Sequence, residues 1–89
     1  MLVLPPELTH AQATASLRML LEGLKAYRDP ALVVDATALT TFDSSALAVL
    51  LECRRNALSE GKTFAVKSLP PALATLAGLY GVDELLPAA

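Results

Sequence analysis

The stretch Thr40–Arg55, TTFDSSALAVLLECRR, joins a short polar segment to a long apolar run. Asp43, Ser44 and Ser45 stand together where the periodicity changes. Each is a good N-cap residue, because a side-chain oxygen can accept a hydrogen bond from the free N–H groups of a first helical turn, worth roughly 0.5–2 kcal/mol. Beyond them Ala46, Leu50, Cys53 and Ala57 recur at three- and four-residue steps, with Leu47, Leu51 and Leu58 beside that stripe. Glu52, Arg54, Arg55 and Asn56 take the outside. This spacing predicts an amphipathic helix, and Gly61 fits the left-handed position just past its end. Capping needs one of the three polar residues and does not require a second serine. A hydroxyl in that first turn faces solvent. Phosphorylating it would add about −1.5 to −2 charge beside the positive end of the helix. The fold tolerates such a charge, whereas a partner resting on the same surface does not.

On the N-terminal side, Ala31–Val34 form a compact apolar run that ends in Asp35. Apolar residues on both faces predict a central strand covered on both sides. Asp35 lies at the carboxyl end of that strand, where functional groups of parallel sheets gather, and the plainer reading is a turn aspartate bonded to local backbone. Earlier still, MLVLP is a short strand stopped by Pro5 and Pro6, which suits a sheet edge. In ELTHAQATASLRMLLEGLKAY, residues Ala13, Leu17, Leu20, Leu24 and Tyr27 share one helical face. Thr9 and Gln12 have the spacing of a capping box, and Asp29-Pro30 ends the helix.

On the C-terminal side, KTFAVKSL predicts a strand with Phe64 and Val66 on one face. Pro71 can open the next helix without losing a bond. In that helix Leu73, Leu76, Ala77 and Tyr80 share a face, and Gly81 ends it. Val82, Leu85 and Leu86 are then available to pack back. Strand and helix alternate three times. That order predicts an α/β fold, a small, mainly parallel sheet with helices packed on it, with residues 1–89 as a single domain. A further short pairing near the N-terminus stays open.

Composition excludes several functions. The 89 residues carry a net charge of −2, so there is no basic excess to neutralise phosphates, and nucleic acid is not expected as a partner. Two Tyr, two Phe and no Trp give little for base stacking. Cys53 is the one cysteine, which forbids an internal disulfide and suits a reducing compartment. It falls on an apolar stripe without a basic neighbour, as a buried small hydrophobe does. His10 is the one histidine, and nothing near it has metal-ligand spacing. The chain has no G-x-S-x-G elbow and no phosphate-cradling glycine loop. Neither a catalytic residue, a metal site nor a cofactor is expected. No apolar run reaches the ~18–20 residues of a membrane span, and the N-terminus lacks a signal-peptide pattern, so a cytoplasmic domain is expected. The high apolar fraction, 54%, calls for a surface that a partner covers.

Taken in order, Asp35 at a strand end, Asp43-Ser44-Ser45-Ala46 before a Leu-rich helix, Gly61-Lys62 before a strand, and the Leu73–Gly81 segment resemble STAS domains. That family includes the anti-sigma-factor antagonists and the tails of sulfate transporters. LAGLYGVDELLP and DSSALAVLLECRR look most like the small STAS subunit of the bacterial Mla phospholipid ABC transporter, the MlaB-like proteins. The resemblance implies a non-enzymatic cytoplasmic subunit that binds an ABC transporter ATPase, peripheral to the inner membrane through that partner and not inserted in it. Thr40, Thr41, Phe42, Ser44 and Ser45 are then the expected partner-binding residues, with Asp43 as the structural cap. The alternative within the family is an anti-sigma-factor antagonist phosphorylated on Ser45 by an anti-sigma-factor kinase. Two departures stand out. STAS domains usually begin with a fuller β-hairpin, and the glycine that follows the second serine is Ala46 here, which adds a methyl where a kinase needs close approach.

Overall fold

A computed structural model describes residues 1–89. Strand β1 is Leu2–Val3 and β2 is Glu7–Leu8; helix α1 is His10–Ala26; β3 is Ala31–Asp35 and β4 is Thr41–Phe42. Helix α2 is Ser45–Ser59, β5 is Thr63–Lys67, α3 is Pro71–Leu79, and a 3-10 turn covers Asp83–Leu85. The main sheet has the order β1-β3-β5, all parallel. Past β5 the C-terminal residues return, and Ala88 bridges Val66 in the same sense.

Strand order therefore follows chain order without a reversal. Parallel crossovers are right-handed, so each helix must pack on the same face of the sheet as the one before it. Burial along the strands agrees. Leu32, Val34, Phe64 and Val66 are buried, while Ala31, Thr63 and Lys67 on the other face are exposed. This corrects the expectation for Ala31–Asp35. The strand is central, but it is covered on one face only, and Val33 stays half-buried on the bare one. Its apolar run reflects small side chains on an open face and not a second helical layer.

The core is built almost wholly from aliphatic side chains. Leu4, Leu8, Leu24, Leu32, Leu50 and Leu73 are each fully buried, and Phe64 is the only aromatic among the buried residues. Helix α1 follows its apolar stripe, with Leu20 and Leu24 buried and Ala13, Leu17 and Tyr27 packed at the margin. Gln12 reaches back, its Oε1 accepting from the Thr9 amide at 2.9 Å and the Thr9 hydroxyl at 2.6 Å. Gly23 lets the edge strand sit close on α1, because a Cβ there would lie 2.8 Å from Leu2 Cδ2. At the other end of α1, the Lys62 ammonium donates to the carbonyls of Tyr27 and Asp29 at 2.7 and 3.0 Å. A cation is favourable at a helix C-terminus, so Lys62 ties the end of α1 to the start of β5.

Helix α2 buries Ala46, Leu50, Cys53 and Ala57 along the expected stripe, and Gly61 turns the chain at φ +74°. Leu58 is a correction, being 45% exposed at the solvent margin. In α3, Leu73 and Ala77 are buried, but Tyr80 is 60% exposed and Leu79 is 77% exposed. Tyr80 is the C-cap residue of the helix, and the core ends before it. Leu86 packs back into the core as expected. None of the helices is long and apolar enough to cross a membrane.

Two substitutions test this packing. Leu50→Ala should lower unfolding free energy by about 2–5 kcal/mol, since the side chain is completely enclosed. Gly78→Ala should raise it by roughly 0.5–1 kcal/mol, because a Cβ there meets nothing within 4 Å and helix interiors favour alanine over glycine. Urea unfolding followed by circular dichroism measures both.

Candidate functional site

Because the strands are parallel, the segments that follow β1, β3 and β5 emerge at one end of the sheet, and all three helices begin there. This end carries Thr40–Ser45. A second, two-stranded sheet organises it. Strand β2 pairs in parallel with β4, Glu7 opposite Thr41 and Leu8 opposite Phe42. The Pro6 carbonyl accepts from the Thr40 and Thr41 amides at 2.9 and 3.0 Å, and from the Thr40 hydroxyl at 3.3 Å. Alternation along β4 then decides exposure. Thr41 points to solvent, whereas Phe42 is half-buried and packs against the core beside fully buried Leu8.

Asp43 stands at the junction of two helices. Its Oδ1 accepts from the Ser45 amide at 2.8 Å, and its Oδ2 accepts from the His10 amide at 3.0 Å. One carboxylate thus meets the first residue of α1 and the first residue of α2, where free N–H groups and helix dipoles favour negative charge. The His10 amide first and the Ser45 amide second hold its carboxyl below the usual range, with a weaker contribution from the Ser45 hydroxyl. A carboxyl depressed in the folded state stabilises above its unfolded pKa, and that contribution is lost as pH falls through the lowered value.

With Asp43 serving the amide, Ser44 already has helical dihedrals, φ −62° and ψ −18°, and its hydroxyl makes no cap bond. Ser44 is exposed and Ser45 is half-buried. Ser45 lines an open groove of about 230 Å³ between the first turns of α1 and α2. His10 and Thr14 share its polar rim, and Ala13, Leu17 and Val49 form its apolar floor. Ala46 is fully buried. Its methyl packs inward and does not stand before an approaching protein, so the departure from glycine bears on core packing and not on access to Ser45.

His10, Asp43 and Ser45 are neighbours, yet they do not form a relay. A relay needs the carboxylate on the imidazole and the imidazole on the hydroxyl. Here both carboxylate oxygens are directed to backbone amides. Asp35 accepts from the Thr37 amide at 2.9 Å and also from the Thr37 hydroxyl, and these bonds hold its carboxyl down. It is a turn aspartate at the strand end. No group of three or more His, Cys, Asp or Glu side chains is arranged to hold a metal ion.

Pro6 and His10 escape a reading of the sequence. Nothing local in PPELTH marks those residues as neighbours of Thr40–Ser45, because the pairing spans more than thirty residues of chain.

Cys53 lies away from this end. Burial pushes its thiol up to about 11. Only the thiolate reacts, so alkylation by iodoacetamide at pH 8 should run at least about a hundredfold slower in the native protein than in urea. Labelling at the free-thiol rate without denaturant would show the α2 stripe to be open.

The chain matches the protein family described as Mlab, STAS domain, over residues 1–87. None of the curated proteins matches it. The match takes in the whole sheet, all three helices and the loop that carries Asp43, Ser44 and Ser45. With an in-order parallel sheet, helices on one face and an exposed serine at the start of α2, the chain belongs to the STAS domains of the MlaB-like family.

Proposed function

We propose that this protein is a non-enzymatic STAS subunit that docks on the ATPase of a phospholipid-trafficking, Mla-type ABC transporter and supports its assembly and activity. The observation that carries the reading is the exposed Ser44 on a loop pinned at both ends, by Pro6 and by Asp43. A pinned, hydroxyl-bearing loop, whose one carboxylate is already bonded to two backbone amides, suits a partner contact, since little conformational freedom is lost on binding. Thr40, Thr41 and Ser44 present the exposed groups, with Phe42 and Ser45 half-buried behind them. The family match supports a STAS-type role, and the likeness of LAGLYGVDELLP to Mla-type subunits supports the finer one. On this reading the protein is cytoplasmic and reaches the inner membrane only through the ATPase.

The anti-sigma-factor antagonist reading needs a kinase to reach Ser45. Its half-buried place beside His10 and Thr14 favours the docking role over that one.

The test is co-purification with the ATPase subunit of the source cell. Ser44→Arg introduces a bulky cation at an exposed position that the core does not use, so the thermal midpoint should stay within a few degrees. Capture of the ATPase should fall at least about tenfold, given the penalty of an unpaired charge in an interface. Undiminished capture by Ser44→Arg would remove the loop from the interface. Phosphate on Ser45 in the purified protein, together with capture of a kinase-like partner, would overturn the transporter reading in favour of the switch.

A further inference from the structure

The contacts of Asp43 do more than cap a helix. They join two segments that are remote in the chain, Pro6–His10 and Thr40–Ser45. The bridge from the Ser45 amide through the carboxylate to the His10 amide is one fastening. The Pro6 carbonyl, which receives two amides and a hydroxyl, is another, and the β2–β4 pairing lies between them.

We infer that Asp43 is the positioning residue of a docking surface formed by both segments, so that Glu7 and His10 share the partner contact with Thr40, Thr41 and Ser44. The inference rests on the docking role proposed for the loop and extends it to the connection between β1 and α1. Glu7 and His10 are both exposed. The imidazole of His10 and the side chain of Thr14 share their groove with Ser45, so a protein that covers the start of α2 also meets the first turns of α1.

The chemistry of the bridge makes it sensitive to small changes. Both incoming groups are N–H donors, and both carboxylate oxygens are used as acceptors. An asparagine of the same shape has one carbonyl oxygen and one NH2 group. Whichever way it is turned, one donor faces another donor. The bridge also has no place for a second negative charge. A phosphate or carboxylate on Ser45 would lie beside Asp43 and repel it, loosening the arm that holds α1. A charge written on the loop is thereby passed to a helix whose sequence lies far from it.

The experiment is residue-resolved amide hydrogen exchange on the full 89-residue chain, run beside capture of the ATPase subunit. Asp43→Asn should speed exchange of the His10 or the Ser45 amide by about tenfold or more, as expected for losing a hydrogen bond to a charged acceptor, and should weaken capture. Ser45→Asp should speed exchange at His10, and it remains informative if Asp43→Asn fails to fold. Glu7→Lys, with the bridge intact, should weaken capture without changing exchange at either amide. Unchanged exchange in both Asp43→Asn and Ser45→Asp would overturn the bridge, whatever happens to capture. Faster exchange with undiminished capture would overturn the positioning role. If Ser44→Arg leaves capture intact while the Asp43→Asn exchange result holds, the loop's docking role fails and the bridge stands.

Discussion

The handedness of parallel crossovers is the constraint on which this structure depends. Because β1, β3 and β5 lie side by side in chain order, right-handed connections send α1, α2 and α3 to the same face. The chain is a short superhelix of strand–helix turns, with helices on one side and strands on the other. In doubly wound sheets a reversal of strand order opens a crevice for ligands at the strand ends. This fold has no such reversal. The end that carries Thr40–Ser45 is accordingly a surface of loops and first helical turns, and the docking proposed for it needs no crevice.

That surface is ordered by backbone groups as much as by side chains. In the small second sheet Leu8 and Phe42 face the core while Thr41 faces out. Asp43 then occupies the place where two helix N-termini meet, and compensates both with one charge. Ser44, relieved of capping, is left exposed. The same residues that complete the fold therefore decide which hydroxyls are presented.

The core explains why so few side chains are available for chemistry. With Phe64 the only aromatic residue buried, the helices approach the sheet through Leu, Val and Ala. Cys53 is part of that packing, and its raised thiol pKa follows from burial, which disfavours the charged thiolate. Polar atoms are met locally, as where Lys62 closes the end of α1 over the Tyr27 ring, 5.6 Å from its centroid. No buried side-chain nitrogen or oxygen lacks a hydrogen-bond partner, so the interior holds no unsatisfied group waiting for a ligand.

Much of this was legible in the residues. The three helices announce themselves through 3.6-residue periodicity, their ends through Thr9–Gln12, Gly61 and Pro71, and the order of β1, β3 and β5 with their helices through simple alternation, whereas the two-residue strands β2 and β4 are too short to leave a pattern. These are local signals, and local backbone preferences and side-chain spacing suffice to determine them. The cluster Asp43-Ser44-Ser45 was visible as a cap site for the same reason. Asp43 was expected as the cap; that its carboxylate also answers an amide on another helix, and that Ser44 is the exposed hydroxyl while Ser45 is half-buried, was settled by the tertiary structure. The bare face of the sheet, the solvent-facing Tyr80 and the inward methyl of Ala46 belong to the same class. Each depends on how elements remote in the chain are placed against one another, and the sequence carries no periodicity or cap that records a contact between residue 10 and residue 43.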